Sequence, residues 1–295
     1  MKIATMTSLF YNRREDGELP PMPESIARCR AAGFDVLDLN MCPMDVRRRQ
    51  YFCGDDWEER VDEVLEAIEE NQVTIYSSHP PCRPGLTTVF QDPEVDAFFR
   101  RMERRSLEIT ARAGGAWAVV HPVCDPELGA DYDAQIALNH RIYDEVVEFA
   151  DKLGIGIAFE NTVQFPGAPY RFAAVSEELI ALCDSYHSPN VGICWDFGHG
   201  NLMYPGFSES ALRPLGKRLK VTHVHDNLGV RDDHFLPFVG NIRWEKLMPI
   251  LKEIGYEGTL NLEISLSHRM PDMLRDEAAR LAYNTTKILL NLAEG

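Results

Sequence analysis

A short apolar run recurs eight times along the chain, and a polar loop and a helical pattern follow each run. The runs are KIATMT, DVLDLN, VTIYSSH, AWAVVH, IGIAFE, VGICWD, LKVTHVH and TLNLEI. Their starts lie roughly 30 to 45 residues apart, which is the length of a strand, a crossover helix and two loops. This period predicts a parallel sheet in which a helix follows each strand.

The segments between the runs carry helix start and stop signals. In DDWEERVDEVLEAIEE, valine, leucine and isoleucine recur at helical spacing, and Asp56 with Glu59 resembles a capping box. In DPEVDAFFRRME, Pro93 suits the first helical position after an aspartate cap. Gly114 and Gly154 stand where the third and fourth helices should end.

Eight strand–helix units with no internal boundary predict an α/β fold, a single closed (β/α)8 TIM barrel. We expect residues 1–295 to form one domain, since 295 residues is an ordinary length for such a barrel. A doubly wound open sheet is the alternative, but no glycine-rich phosphate fingerprint follows any strand.

Polar side chains collect at the predicted strand ends. Alternate residues of a barrel strand point inward, and catalytic groups lie at the carboxyl ends of the strands. Six strands therefore bring a carboxylate or an imidazole to one cavity: His79, His121, Glu160, Asp196, His223 with His225, and Glu263. A single histidine at a strand end is more often a structural, hydrogen-bonded group. Several buried carboxylates together are costly unless cations neutralise them, so the convergence predicts a divalent metal.

The strongest metal-ligand set is Glu160, Asp196, His223 and Glu263, which offers three oxygens and one nitrogen. This donor set suits several divalent ions. We expect Mn²⁺ or Zn²⁺ first, with Mg²⁺ or Co²⁺ as alternatives.

The overall charge restricts the partners that the chain can bind. The net charge is −16, which opposes a long nucleic-acid footprint but allows a small anionic substrate held by a few arginines. The first apolar stretch is short and broken by charge, and no run approaches the roughly 20 residues of a membrane span. We therefore expect a soluble, cytoplasmic protein that binds neither nucleic acid nor membrane.

The seven cysteines include no CxxC pair, which indicates reduced thiols that fill the core rather than nucleophiles. Two weaker candidates lie in loops. The run Arg47–Arg49 could hold a substrate phosphate, although a solvated charge run explains it equally well, and His268 could reach the mouth of the barrel.

The motifs, taken in order, resemble the xylose isomerase-like TIM-barrel superfamily. They are SSHPP, VVHPV, FENT, CWDFGHGN, HVHDN, DDHFLPFVGNIRW and NLEIS, and they run almost end to end. The superfamily includes sugar phosphate isomerases and epimerases, with endonuclease IV (AP endonuclease family 2) as its DNA-repair branch. In the isomerase branch, the resemblance implies one divalent metal on Glu160, Asp196, His223 and Glu263, with the two glutamates also moving protons.

The repair branch implies more ligands, which hold three zinc ions. Beyond the four residues already named, its additional ligands would correspond to His79, His121, His199, Asp232 and His234. All are present, so ligand presence alone does not decide between the branches. The chain departs from the pattern D-x-H-x-x-P-G-x-G, where Phe238 replaces a glycine, and from the lead-in HAPY, which is HPPC here. These departures and the negative charge favour the isomerase branch.

We therefore predict a metal-dependent isomerase or epimerase of a small sugar or sugar phosphate, active in carbohydrate metabolism. It would transfer a proton next to a carbonyl through a metal-stabilised enediolate, with Glu160 and Glu263 as the catalytic residues. The candidates for substrate binding are His79, His121, His199, His225 and Arg231. By analogy with relatives, the protein could form a homo-oligomer.

Three alternatives remain at this point. The first is a trinuclear zinc phosphodiesterase of the endonuclease IV type that acts on abasic DNA. The second is an inosose-type dehydratase that uses the same apparatus. The third is a barrel without enzymatic activity whose metal is structural.

Overall fold

The computed structural model describes residues 1–10, 20–44, 51–83, 92–267 and 270–295. Eight parallel strands close into one barrel in chain order, and the last strand pairs with the first. The strands are β1 (Lys2–Met6), β2 (Val36–Asn40), β3 (Thr74–His79), β4 (Trp117–Val120), β5 (Gly156–Glu160), β6 (Val191–Asp196), β7 (Leu219–Val224) and β8 (Thr259–Leu262). The prediction of a (β/α)8 TIM barrel is confirmed.

The described residues include nine α-helices around the barrel. They are α1 (Met22–Ala32), α2 (Trp57–Glu70), α3 (Pro93–Arg112), α4 (Tyr132–Lys152), α5 (Ser176–Ser185), α6 (Phe197–Met203), α7 (Ser208–Leu212), α8 (Trp244–Glu253) and α9 (Asp272–Glu294). One α-helix follows each strand except β6, which two short helices follow, where the sequence predicts one. Pro205 and Gly206 lie between α6 and α7 and break the helical path. Short 3₁₀ segments cover Thr7–Phe10, Pro126–Leu128 and Arg213–Arg218.

Most of the predicted helix ends are confirmed. The Asp92 carboxylate accepts a hydrogen bond from the Glu94 backbone N–H at 2.9 Å. Gly114 and Gly154 both adopt φ of +77°, a left-handed conformation that ends a helix at little cost for glycine. The predicted capping box at α2 is wrong, because the Asp56 carboxylate accepts from Arg60 Nε at 3.0 Å and makes no cap bond.

A layer of small and medium side chains fills the barrel interior. It consists of Val119, Ala158, Cys194 and Val221, which are fully buried and separate from the core between strands and helices. Each precedes a predicted site residue by two positions on its strand, since alternate residues share one face. The layer therefore forms the floor of a cavity at the carboxyl ends of the strands.

Two weaker sequence candidates, the arginine run 47–49 and His268, lie outside the described residues. Within the described ranges, no helix combines the length and the apolar character that a membrane crossing demands.

A stability prediction follows for Gly156, the first residue of β5, which pairs with Trp117 on the neighbouring strand β4. A Cβ added at Gly156 would lie 2.3 Å from Cζ3 of the Trp117 ring. Gly156→Ala should lower the free energy of unfolding in urea by about 1–3 kcal/mol, because overpacking forces the ring to move. In a Trp117→Leu background, Gly156→Ala should lower the free energy of unfolding by less, because the bulky ring is no longer there. An equal cost in both backgrounds would contradict this account of the contact.

Candidate metal centre

Four side chains from the ends of β5 to β8 converge at the mouth of the barrel. One ligand atom from each of Glu160, Asp196, His223 and Glu263 lies within 4.8 Å of the other three. His223 Nδ1 lies 3.1 Å from Glu160 Oε1 and 2.8 Å from Glu263 Oε2. The strand register contributes directly, because it sets Asp196 opposite His223. We call these four residues the carboxylate cluster.

The carboxylate cluster fits a divalent cation. Glu160, Asp196 and His223 are at most 1% exposed, and Glu263 is partly buried. Within the described part of the chain, every ion-pair contact of the three carboxylates is to a histidine. Glu263 Oε2 is buried without a hydrogen bond there, and its 2.8 Å contact with His223 Nδ1 is an ion pair. Three carboxylate oxygens and one imidazole nitrogen in this arrangement are a donor set for Mn²⁺, Mg²⁺, Co²⁺ or Zn²⁺.

The charge state of the cluster follows from its contacts. Burial alone would raise the pKa of Glu160, but the adjacent His223 and His121 hold that pKa well below its usual range. Burial likewise opposes ionisation of Asp196, whose pKa is lowered by His199 and His225. The neighbouring histidines therefore favour the ionised form of Glu160 and Asp196.

A second group of ligand atoms continues outward from Asp196. His225 Nε2 lies 3.0 Å from Asp196 Oδ2, and its ring stacks on His234 with centroids 4.1 Å apart. Asp232 Oδ2 lies between two of these histidines, at 3.0 Å from His234 Nε2 and 3.3 Å from His199 Nε2. His225 is fully buried, whereas His199, Asp232 and His234 are only partly buried and lie nearer to solvent.

Local backbone geometry positions His199 and His225. Asp196 ends β6 and caps α6, since its Oδ1 accepts a hydrogen bond from the His199 backbone N–H at 2.6 Å. The Asn161 side chain donates a hydrogen bond to the Asp196 backbone oxygen and accepts one from the Asp196 backbone N–H. The backbone oxygen of Asn161 lies 2.7 Å from His199 Nδ1. Gly198 allows His225 to approach, because a Cβ there would lie 1.9 Å from His225 Cε1. The CWDFGHGN motif therefore serves both as strand end and as ligand support.

The buried Asp226 holds the loop that carries Asp232 and His234. Its carboxylate accepts hydrogen bonds from the Phe238 backbone N–H at 2.9 Å and from Trp244 Nε1 at 3.0 Å. Phe238 adopts φ of +71°, in the left-handed region that favours glycine. Phe238, which stands where the family pattern has glycine, therefore adopts the left-handed backbone that glycine favours.

Two histidines from the carboxyl ends of β3 and β4 contact Glu160 on its other side. His121 Nε2 lies 3.0 Å from Glu160 Oε2, and His79 Nε2 lies 3.5 Å from the same oxygen. Asp38 accepts a hydrogen bond from Ser77 Oγ at 2.6 Å, and burial raises the pKa of Asp38. Sequence analysis missed Asp38, although the alternation of DVLDLN places it on the inward face.

A cavity of about 430 Å³ opens beside the site. It is lined by His121, Asn161, Thr162, Val163, Phe165, Ala168, Pro169, Arg171, His199 and Asp232. Arg171, which sequence analysis missed, is half-buried, and its guanidinium makes no hydrogen bond or ion pair with the described residues. Arg231 does not line this cavity; its side chain is 79% exposed and lies 2.9 Å from Asp233.

The structure thus brings nearly all the predicted site residues to one end of the barrel. They are His79, His121, Glu160, Asp196, His199, His223, His225, Asp232, His234 and Glu263. Arg231 stays outside this group. Its role in substrate binding remains a prediction.

Comparison with known proteins gives a family match and relatives of partial length. The family model described as "Xylose isomerase-like TIM barrel" matches residues 26–283. An uncharacterized protein of Methanocaldococcus jannaschii is 35% identical over 147 residues. That match covers 49% of this chain and 49% of the relative, so the chain spans about half the length of this relative.

Two solved structures are similar to the chain over nearly its full length. One is a D-tagatose 3-epimerase-like protein, with a TM-score of 0.72, 24% identity, and coverage of 100% of this chain and 98% of that one. The other is D-psicose 3-epimerase in the presence of D-fructose, with a TM-score of 0.75, 17% identity, and coverage of 98% and 99%. At these identities the likeness shows a shared fold.

The carboxylate cluster generates a prediction about metal affinity. Glu263→Gln should weaken Mn²⁺ binding in equilibrium dialysis by at least about 100-fold, because losing a ligand costs more than losing an outer-shell contact. The exposed Glu148→Gln change on α4 is the matched control and should leave the affinity unchanged. Equal Mn²⁺ affinity in all three proteins would refute the assignment of Glu263 as a ligand.

Proposed function

The chain belongs to the xylose isomerase-like TIM barrel family, and on that premise we propose that it is a metal-dependent epimerase or isomerase of a small sugar. The observation that carries the proposal is the placement of Glu160 and Glu263 around one imidazole, at 3.1 and 2.8 Å from His223 Nδ1. Two carboxylates from β5 and β8 can serve as the two proton-transfer groups that an epimerase requires.

The proposed substrate is a ketose. A cavity of about 430 Å³ lies within the range of small-molecule sites, and it opens directly beside the carboxylate cluster. Several solved structures of the same fold carry the names of sugar epimerases, among them D-psicose 3-epimerase and L-ribulose 3-epimerase. These names support the substrate class by analogy of fold.

The proposed reaction removes and returns a proton on the carbon next to a carbonyl. Glu160, Asp196, His223 and Glu263 would hold a divalent cation, whose Lewis acidity would favour removal of a proton next to the carbonyl. One glutamate takes the proton from one face of the carbon, and the other returns it to the opposite face. Nearby histidines lower the pKa of both glutamates, so the accepting glutamate starts as a carboxylate. The returning glutamate must first take up a proton, and the two exchange roles when the reaction runs in reverse.

The cavity walls bind and orient the sugar in this proposal. His121, His199 and Asp232 lie on the wall nearest the carboxylate cluster, where they can hydrogen-bond to hydroxyl groups. Val163 and Phe165 offer an apolar surface for the carbon skeleton and exclude water from it. The same apparatus would support dehydration if the intermediate expelled a neighbouring hydroxyl group.

A second candidate function is metal-dependent hydrolysis of a phosphodiester. It is favoured by the group His225, Asp232 and His234, whose ligand atoms lie within 4.8 Å of one another beyond the carboxylate cluster. The net charge of −16 opposes DNA binding, so this candidate ranks second. Cleavage of abasic-site DNA by the zinc-loaded protein, with no turnover of ketoses, would reverse the order.

The proton-transfer step can be tested by isotope exchange. In D₂O, the metal-loaded protein should incorporate deuterium into D-psicose, D-fructose or D-tagatose at the carbon beside the carbonyl, as followed by NMR. Glu160→Gln and Glu263→Gln should each slow epimerisation by about 100-fold or more when metal occupancy is held equal by excess Mn²⁺. Epimerisation without deuterium incorporation, or at the wild-type rate in both variants, would contradict the mechanism.

Arg171 generates a separate prediction about substrate binding. Its half-buried guanidinium faces the cavity without a partner among the described residues, so we expect it to bind an oxygen of the substrate. Arg171→Met should raise KM by about 10-fold or more and leave kcat within a few-fold, because the contact is remote from the reacting carbon. A KM equal to that of the wild type would remove Arg171 from the binding site.

A further inference from the structure

Two cysteines join a histidine beside the carboxylate cluster. Cys42 Sγ lies 2.9 Å from His79 Nδ1 and 3.1 Å from Cys82 Sγ, and Cys82 Sγ lies 3.7 Å from the same nitrogen. Cys42 follows β2, His79 ends β3, and Cys82 comes three residues later. Cys42 is 37 positions from His79 in sequence, and the parallel pairing of β2 with β3 brings it to the other two donors.

We propose that Cys42, His79 and Cys82 form a zinc site that is separate from the carboxylate cluster. We call it the thiol site. The three distances define a compact triangle, and a point in its plane is about 1.9 Å from every corner. An ion about 1.3 Å above that plane would lie about 2.3 Å from every corner, which is the usual Zn–S distance, and a shift toward Nδ1 would give the usual Zn–N distance of about 2.0 Å.

The donor atoms of the thiol site select a different metal from those of the carboxylate cluster. Two sulfurs and one imidazole favour Zn²⁺ over Mg²⁺ or Mn²⁺, whereas the oxygen-rich cluster accepts the harder ions. Cys42 and Cys82 are half-buried and His79 is buried, so solvent reaches the site from the side of the cysteines. Three protein ligands with one open position are the arrangement of zinc sites that bind water or substrate.

The opposite side of the His79 ring supports this assignment. His79 Nε2 lies 3.5 Å from Glu160 Oε2, so a proton on Nε2 points to a carboxylate and leaves Nδ1 as the ligand atom. Such a carboxylate behind a histidine is the usual outer-shell partner of a zinc ligand. Glu160 therefore links the thiol site to the carboxylate cluster.

Cobalt spectroscopy tests the thiol site without an activity assay. The reduced, full-length, untagged protein is titrated with Co²⁺, because thiolate ligands give an intense charge-transfer absorption that oxygen and imidazole ligands do not. We expect this band to saturate at one equivalent of thiol-bound Co²⁺ per chain. Cys42→Ser and Cys82→Ser should abolish it, whereas Glu263→Gln and the control Cys53→Ser should retain it.

Several outcomes would overturn the thiol site. Cobalt bands without the charge-transfer absorption, or a band that survives both cysteine changes, would show that the thiols bind no metal. A Cys42–Cys82 disulfide that resists reduction would also do so. The proposed function depends on the carboxylate cluster and not on the thiol site. If the protein neither binds Mn²⁺ nor catalyses deuterium exchange, the proposed function is refuted, and the Co²⁺ test of the thiol site is unaffected.

A second measurement avoids substitutions that could disturb folding. In the wild-type protein, Zn²⁺ should slow alkylation of Cys42 and Cys82 by at least about 10-fold relative to Mg²⁺, as read by peptide mass spectrometry. Cys53 serves as the internal control and should react at the same rate with either ion. Equal alkylation rates at all three cysteines in both ions would contradict the proposal.

Discussion

Three carboxylates share the mouth of this barrel, and their mutual repulsion is the constraint on which the site depends. Glu160 and Asp196 are buried, and Glu263 is partly so. In the described structure only histidines make ion pairs with them. Desolvated like charges at this separation cost several kcal/mol each unless positive charge compensates them. A divalent cation bound by these carboxylates would relieve this cost.

The scaffold is arranged to hold those charges close together. Each residue of the interior layer lies two positions before a site residue on its strand, so the site residues lie at a similar height in the barrel. The closed sheet fixes their positions around the mouth. Asn161 and Asp226 then secure the backbone after β5 and β7, where regular hydrogen bonding ends. Gly198 leaves the space that His225 requires. Rigid elements thereby position groups whose mutual repulsion would otherwise separate them.

The sequence predicted the strands and the convergence of their ends because both depend on a period of two within a repeating strand–helix unit. His79, Glu160 and Glu263 could be placed in this way without coordinates. The capping box at Asp56 failed because a nearby arginine competes for the carboxylate, and such competition is not visible in a four-residue pattern.

Other residues were missed because their roles arise from tertiary contacts. Cys42 and Cys82 lie 40 positions apart, and only the pairing of β2 with β3 brings their sulfurs within 3.1 Å. Arg171 belongs to the loop after β5, whose path over the cavity no periodicity describes.

The most direct test of the central claim is anomalous diffraction from crystals of the protein grown with Mn²⁺. A cation in the carboxylate cluster would give an anomalous peak about 2.0–2.4 Å from the side chains of Glu160, Asp196, His223 and Glu263. A well-ordered cluster with no anomalous peak, or with Mn²⁺ bound only elsewhere, would contradict the claim that a cation holds these carboxylates together.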